Sequence, residues 1–131
     1  MVVAAGLATG LGIFLFKARE LGYTDAAIGT LRTFSAAADA YRSSHPDKGY
    51  PETLEELCAS GGIDEAHHDG KYSNYRYTYA TKRSRVGGRI DGYEVHADPA
   101  DGREALHFFV DQSGVIRHNE STPANEYSPP L

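Results

Sequence analysis

Tryptophan is absent from this chain, cysteine occurs once, and no proline interrupts it before Pro46. A single thiol, Cys58, excludes an internal disulfide and a cysteine-based zinc centre. Without a C-x-x-C-H run there is no covalent haem. Charge is missing altogether from residues 2–16, while all eighteen acids lie from Glu20 onward. The formal net charge of −5 argues against general affinity for nucleic acid or an anionic membrane surface. No serine nucleophile elbow, glycine-rich phosphate loop, HExxH helix or paired-carboxylate motif is present. With 131 residues and a large share of them in one helix, little remains to build a cleft, and the expectation is a chain that is not an enzyme.

What is present begins with the uncharged run Val2–Phe16 (VVAAGLATGLGIFLF). Further along, Ile28, Leu31, Phe34, Ala38 and Tyr41 recur at the spacing of one helical face. One helix over about residues 2–45 accounts for both, apolar all round at its start and amphipathic beyond. It would be ~65 Å long, about twice the width of a small domain. Val2–Phe16 falls short of the ~20 residues that cross a bilayer unaided. Its flanking cations, Lys17 and Arg19, follow it, whereas a secretory signal carries them in front. A membrane or filament-core segment therefore ranks above a signal-like anchor or a buried helix. Lys17 and Arg19 can snorkel and extend the span, and the positive-inside rule puts them on the cytoplasmic side. Gly6-x-x-x-Gly10 adds a small-residue step that lets helices approach closely in lipid.

Pro46 and Gly49 end the helix by turn chemistry. Pro51–Leu57 (PETLEEL) predicts a short helix with Pro51 at its first position and acids in its first turn. Gly61 and Gly62 close it, and 63–70 is a polar connection holding His67 and His68. From Lys71 the period changes to two. Tyr75, Tyr77 and Tyr79 mark a half-buried strand, Tyr93, Val95 and Ala97 a second, Leu106, Phe108 and Val110 a third. Asp91-Gly92 precedes the second strand, Asp98–Gly102 and Asp111–Gly114 are turns, and Val115–His118 is a last short strand. Strands joined by short turns make an antiparallel meander. The expected class is α+β: a long N-terminal helix packed by its C-terminal half on a small antiparallel meander. Residues 1–24 form the apolar half-helix and 25–131 the head, with an irregular stretch after Asn119.

This layout resembles type IV pilins and the pseudopilins of type II secretion. The similarity is carried by Asp25–Leu57, where AIGTLRTFSAAADAY is followed after a short turn by GYPETLEEL. It is carried also by Gly92-Tyr93, Asp98-Pro99 and Phe108–Arg117. The basic leader and the Phe-Thr-Leu-Ile-Glu-like start of pilin precursors do not stand in this sequence. What the resemblance implies is a structural subunit of a pilus-like or pseudopilus filament, a homo-oligomer of identical copies. Such a subunit sits in a bacterial inner membrane before assembly and in a periplasmic or extracellular filament afterwards. That places the head opposite to the positive-inside expectation.

Burial of Val2–Phe16 between staggered copies would supply ~25 cal/mol per Å² of apolar surface. Leu7, Leu11, Ile13, Phe14 and Leu15 are the expected contact residues. Asp98, Asp101 and Asp111 resemble the calcium loop of major pseudopilins, with the hard oxygen ligands that calcium takes, although an ordinary turn is the plainer account of Asp-Pro-Ala-Asp-Gly. Lys82, Arg83, Arg85 and Arg89 gather four cations near Tyr79, a candidate contact for DNA or another polyanion. A solvated hairpin tip or a salt bridge is the plainer account. On that contact rests the alternative function, a membrane-anchored binding module that does not polymerise. His96, His107 and His118 sit on three successive expected strands near Asp98 and Asp111, a geometry open to a metal, for which exposed polar positions on a sheet are the plainer account. No cofactor other than calcium is suggested.

Overall fold

The computed structural model describes residues 24–61, 71, 72, 74–84, 87–100 and 104–131. Among these the chain is α+β. Helix α1 covers 24–44 and α2 covers Leu54–Gly61, followed by strands β1 (Lys71–Tyr72), β2 (Tyr75–Arg83), β3 (Ile90–Pro99), β4 (His107–Asp111) and β5 (Arg117–Asn119). All pairings are antiparallel and the order in space is the order in sequence, so the sheet is a meander. The run Val2–Phe16, with Leu7, Leu11, Ile13, Phe14 and Leu15, lies outside the described residues. No described helix is long and apolar enough to cross a membrane.

The face of α1 that enters the core is the one its spacing specifies. Ala27, Leu31, Phe34, Ala38 and Tyr41 are buried, Ala37 and Thr30 join them, and Ile28 packs at the margin. Tyr75, Tyr77, Tyr93, Val95, Ala97, Phe108 and Val110 meet this stripe from the sheet. Phe34 lies edge-on to Tyr77 with ring centroids 5.7 Å apart, and Tyr93 Oη donates to Ser35 Oγ at 3.2 Å. The ladder puts Tyr77, Ala97, Phe108 and His118 in one row across the strands. Burying each large apolar side chain here contributes about 1.5–3 kcal/mol.

α1 gives way to a turn in which Lys48 and Gly49 N–H groups both reach the His45 carbonyl at 3.0 Å. The chain then runs directly alongside the start of β3. Tyr50 N–H donates to the Ile90 carbonyl and Ile90 N–H to the Lys48 carbonyl, each at 3.0 Å, forming a parallel bridge between Gly49 and Ile90. Gly49 has φ +88°, and a Cβ there would stand 2.0 Å from the Ile90 carbonyl oxygen. Only glycine fits this position without displacing backbone.

Three expectations about element ends are corrected. Helix α2 starts at Leu54, not at Pro51. Thr53 caps it, its Oγ1 accepting from Glu56 N–H at 3.0 Å, and Glu56 Oε2 reaches back to Glu52 N–H at 3.2 Å. Asp91-Gly92 is not ahead of the strand but within β3, where a bulge opposite Lys82/Arg83 absorbs the irregularity. The last strand begins at Arg117 rather than Val115. The irregular stretch after Asn119 does lack regular structure, yet it returns to the sheet, with an antiparallel bridge between Arg117 and Pro130.

Candidate functional site

The helix end, the N-terminus of α2 and the β2–β3 hairpin converge on an open groove of about 250 Å³, with Tyr41, Lys48, Glu52, Glu56 and Arg83 in its walls. Two of its carboxylates, Glu52 and Glu56, have work inside the fold. Tyr41 Oη donates to Glu56 Oε1, and Arg83 Nη2 pairs with Glu52 Oε1. Tyr79 Oη, from β2, donates to the Pro51 carbonyl at 2.5 Å. The Tyr41 hydroxyl is pushed up to about 12, first by its hydrogen bond to Glu56 and then by burial. Burial moves the Tyr79 hydroxyl upward as well. Tyr93 rises to about 12, chiefly through burial, with Asp39 adding and the Ser35 hydrogen bond opposing. These phenols are held neutral, so they serve as hydrogen-bond donors that tie α1 and the 50–56 segment to the sheet. Across the groove these contacts latch the helix end and the 50–56 segment to the sheet.

The basic loop is partly spoken for. Arg83 is taken by Glu52 and also donates from Nη1 to the Gly88 carbonyl at 3.1 Å. Arg89 Nε stands 3.5 Å from Asp91 Oδ1. Lys82 is half-buried, and Arg85 lies outside the described residues. Two of the four candidate polyanion contacts therefore already face carboxylates.

Of the candidate calcium residues, Asp98 and Asp111 are not gathered. Asp98 is bonded to His107, with Oδ1 2.7 Å from Nδ1. Asp111 is buried and its Oδ1 accepts from Ser113 N–H and Oγ at 3.0 and 2.6 Å, an Asx turn that shapes the bend after β4. Glu94 opposes Asp111 in the ladder, which leaves Asp98 ~13 Å away along β3. Asp101 lies outside the described residues.

The three strand histidines also divide. His96 and His107 share the sheet face turned away from α1, where His96 packs edge-on to buried Phe109 at 5.1 Å and meets Glu94 Oε1 at 3.5 Å. His118 is in register with Phe108 and so belongs to the opposite face. Among the described residues no three histidine, cysteine or acidic side chains are grouped to hold a metal ion.

Spacing did not disclose the clasp formed by Lys48–Tyr50 on Ile90 or the latch through Tyr41, Glu56 and Thr53. For the latter a signal exists: Thr53-x-x-Glu56 is the capping-box pattern. For the former only Gly49, in a turn that already contains Pro46, hints at a close approach.

Compared with protein-family models, curated proteins and solved structures, the chain matches none.

Proposed function

We propose that this chain is a structural subunit of a type IV pilus-like or pseudopilus filament, assembling through burial of its apolar segment Val2–Phe16. The observation that carries the proposal is how fully the head's core is subscribed. The α1 face from Ala27 to Tyr41 occupies the apolar side of the sheet. Among the described residues the large exposed hydrophobics are Val115, Tyr127 and Leu131. Among the described residues, a head so closed offers no broad apolar face on which a second greasy segment could fold back. An uncharged run that follows no such face is removed from water by lipid, and then by the same run of neighbouring copies. A head-to-tail contact of this kind, where its rotation does not close, propagates as a fibre.

In this proposal the chain resides in a bacterial inner membrane before assembly and in a periplasmic or extracellular filament afterwards, and it performs no catalysis. Leu7, Leu11, Ile13, Phe14 and Leu15 form the contact between copies. Electron microscopy of the purified full chain tests it. The parent gives filaments, whereas Leu11→Asp and Phe14→Asp, with an unchanged circular dichroism spectrum, give none. Filaments from both variants, or a parent that stays monomeric after detergent removal, refute it. The alternative of an anchored module contacting polyanions through Lys82, Arg83, Arg85 and Arg89 is the weaker, because Arg83 and Arg89 are engaged by Glu52 and Asp91.

A further inference from the structure

Strand β5 ends at Asn119, and the chain beyond it makes a bend in which Glu120, Ser121, Thr122 and Pro123 are all exposed. The chain then comes back, and segment 128–131 runs along β5 as a strap. The His118 N–H donates to the Pro129 carbonyl at 3.0 Å and the Leu131 N–H to the Ile116 carbonyl at 3.1 Å. Arg117 Nη1 adds a bond to the Ser128 carbonyl at 2.9 Å. Bend and strap enclose an open cavity of about 390 Å³, lined by His118, Asn119, Glu120, Ser121, Thr122 and Pro129. That volume falls within the ~300–1,000 Å³ of small-molecule sites. Apart from Pro129 its walls carry imidazole, amide, carboxylate and hydroxyl groups, which hydrogen-bond a polyhydroxylated ring.

The same residues spell a motif. Asn119-Glu120-Ser121 is N-x-S with no proline in the middle, the acceptor pattern for a glycan linked to an asparagine amide. The chain has three asparagines, and the other two open Asn74-Tyr75-Arg76 and Asn125-Glu126-Tyr127, which do not fit the pattern. An acceptor of this kind has to stand in a surface segment that an enzyme can reach, and Asn119 opens such a segment. Its amide is also held in place. Asn119 Nδ2 donates to Thr122 Oγ1 at 2.7 Å across the bend. A primary amide nitrogen carries two hydrogens, and this bond uses one. The other can be replaced by a sugar carbon without opening the bend.

We infer that Asn119 is the acceptor of an N-linked glycan whose first ring lies in the cavity between the 120–122 bend and the strap. The donor is a sugar esterified to a diphosphate at its anomeric carbon. In the transfer Asn119 Nδ2 bonds to that carbon, the bond from the carbon to the diphosphate oxygen breaks, and the diphosphate departs with the electron pair. The proton released from Nδ2 passes to a base of the transferring enzyme. The modification is separate from the apolar segment Val2–Phe16 and stands whether or not the chain forms filaments.

The test begins with the full chain purified from the cells that make it, in detergent micelles that cover the apolar segment. Its peptides are read by tandem mass spectrometry with electron-transfer fragmentation. Asn119 is expected to carry a carbohydrate mass; Asn119 found bare in every copy overturns the inference. Ser121→Ala breaks the motif but keeps Asn119 and its bond to Thr122. It is expected to abolish the mass and Ser121→Thr to retain it, both with an unchanged circular dichroism spectrum. A carbohydrate mass that survives Ser121→Ala, or one carried by Ser121 or Thr122 instead, overturns the inference too. Chain made in a cell-free extract without sugar donors identifies the carrier. One sample receives the cells' membranes and a polyprenyl diphosphate sugar, the other their soluble fraction and a nucleotide diphosphate sugar. Transfer to Asn119 in one of them supports the inference and names the carrier, whereas transfer in neither overturns it.

Discussion

Replacing Gly49 with alanine isolates the contact that fixes the end of α1 to the sheet. Two separable costs arise. The backbone at φ +88° is one that a side chain resists, at about 1–2 kcal/mol. The added Cβ would also overlap the Ile90 backbone, at 2.0 Å from its oxygen and 2.8 Å from its carbon. Neither atom is the end of a flexible side chain, so the two segments must part. The hydrogen bonds from Tyr50 N–H and Ile90 N–H then open, in surroundings where Tyr50 and Ile90 are buried. Leaving such groups unsatisfied costs about 1–3 kcal/mol each. The expected loss is about 3–8 kcal/mol, a large part of the ~5–15 kcal/mol that holds a typical domain together.

Gly87→Ala is the matched control. Its φ is +84°, but a Cβ there meets nothing within 4 Å, so only the backbone cost of about 1–2 kcal/mol applies. Urea unfolding of the full chain in micelles, followed by near-ultraviolet circular dichroism of the tyrosines, measures both. If Gly49→Ala falls within about 0.5 kcal/mol of Gly87→Ala, an amount typical of inconsequential surface changes, the clasp on Ile90 is not a stabilising element and the reasoning fails.

Other outcomes follow from the same packing. Leu31→Ala, in the centre of the α1 stripe, should cost about 2–5 kcal/mol in the same titration; a loss below 1 kcal/mol would mean that α1 does not seal the core. Thr53→Ala removes the acceptor for Glu56 N–H and should cost about 0.5–2 kcal/mol, with a local rise in amide exchange over Leu54–Leu57. Tyr93 has a folded pKa of about 12 against an ordinary value of 10.0. Its contribution is therefore fully present below pH 10 and is lost as pH rises through about 12, where the unfolded phenol ionises first. Two units correspond to about 2–3 kcal/mol. Tyr93→Phe should flatten the alkaline fall in stability between these limits, and an unaltered slope contradicts the assignment.

Local order was legible where burial has a period. Leu31, Phe34, Ala38 and Tyr41 declare the helix face because a helix returns every 3.6 residues to the same side. Tyr75, Tyr77 and Tyr79 declare a strand because alternate residues share a face. What spacing does not carry is register and long-range pairing. His96, His107 and His118 read as neighbours on successive strands, but the ladder places His118 beside Phe108 on the other face. Asp91-Gly92 is expected ahead of the strand, and a bulge absorbs it into β3. Asp98 and Asp111 suggest ligands by type, yet each is satisfied by a neighbour, His107 in one case and Ser113 in the other. Arg83 finds Glu52 across a gap in sequence that no local pattern spans. The groove and the strap are likewise products of tertiary pairing.

Cys58 sits on α2 beside Leu57, sealed from solvent, with burial pushing its thiol up. Being the sole sulfhydryl of the chain, it acts as a tamper seal. A thiol-reactive dye is refused while α2 stays docked and accepted each time that helix peels away. The labelling rate of the unaltered chain thus counts those excursions directly, without any engineered reporter.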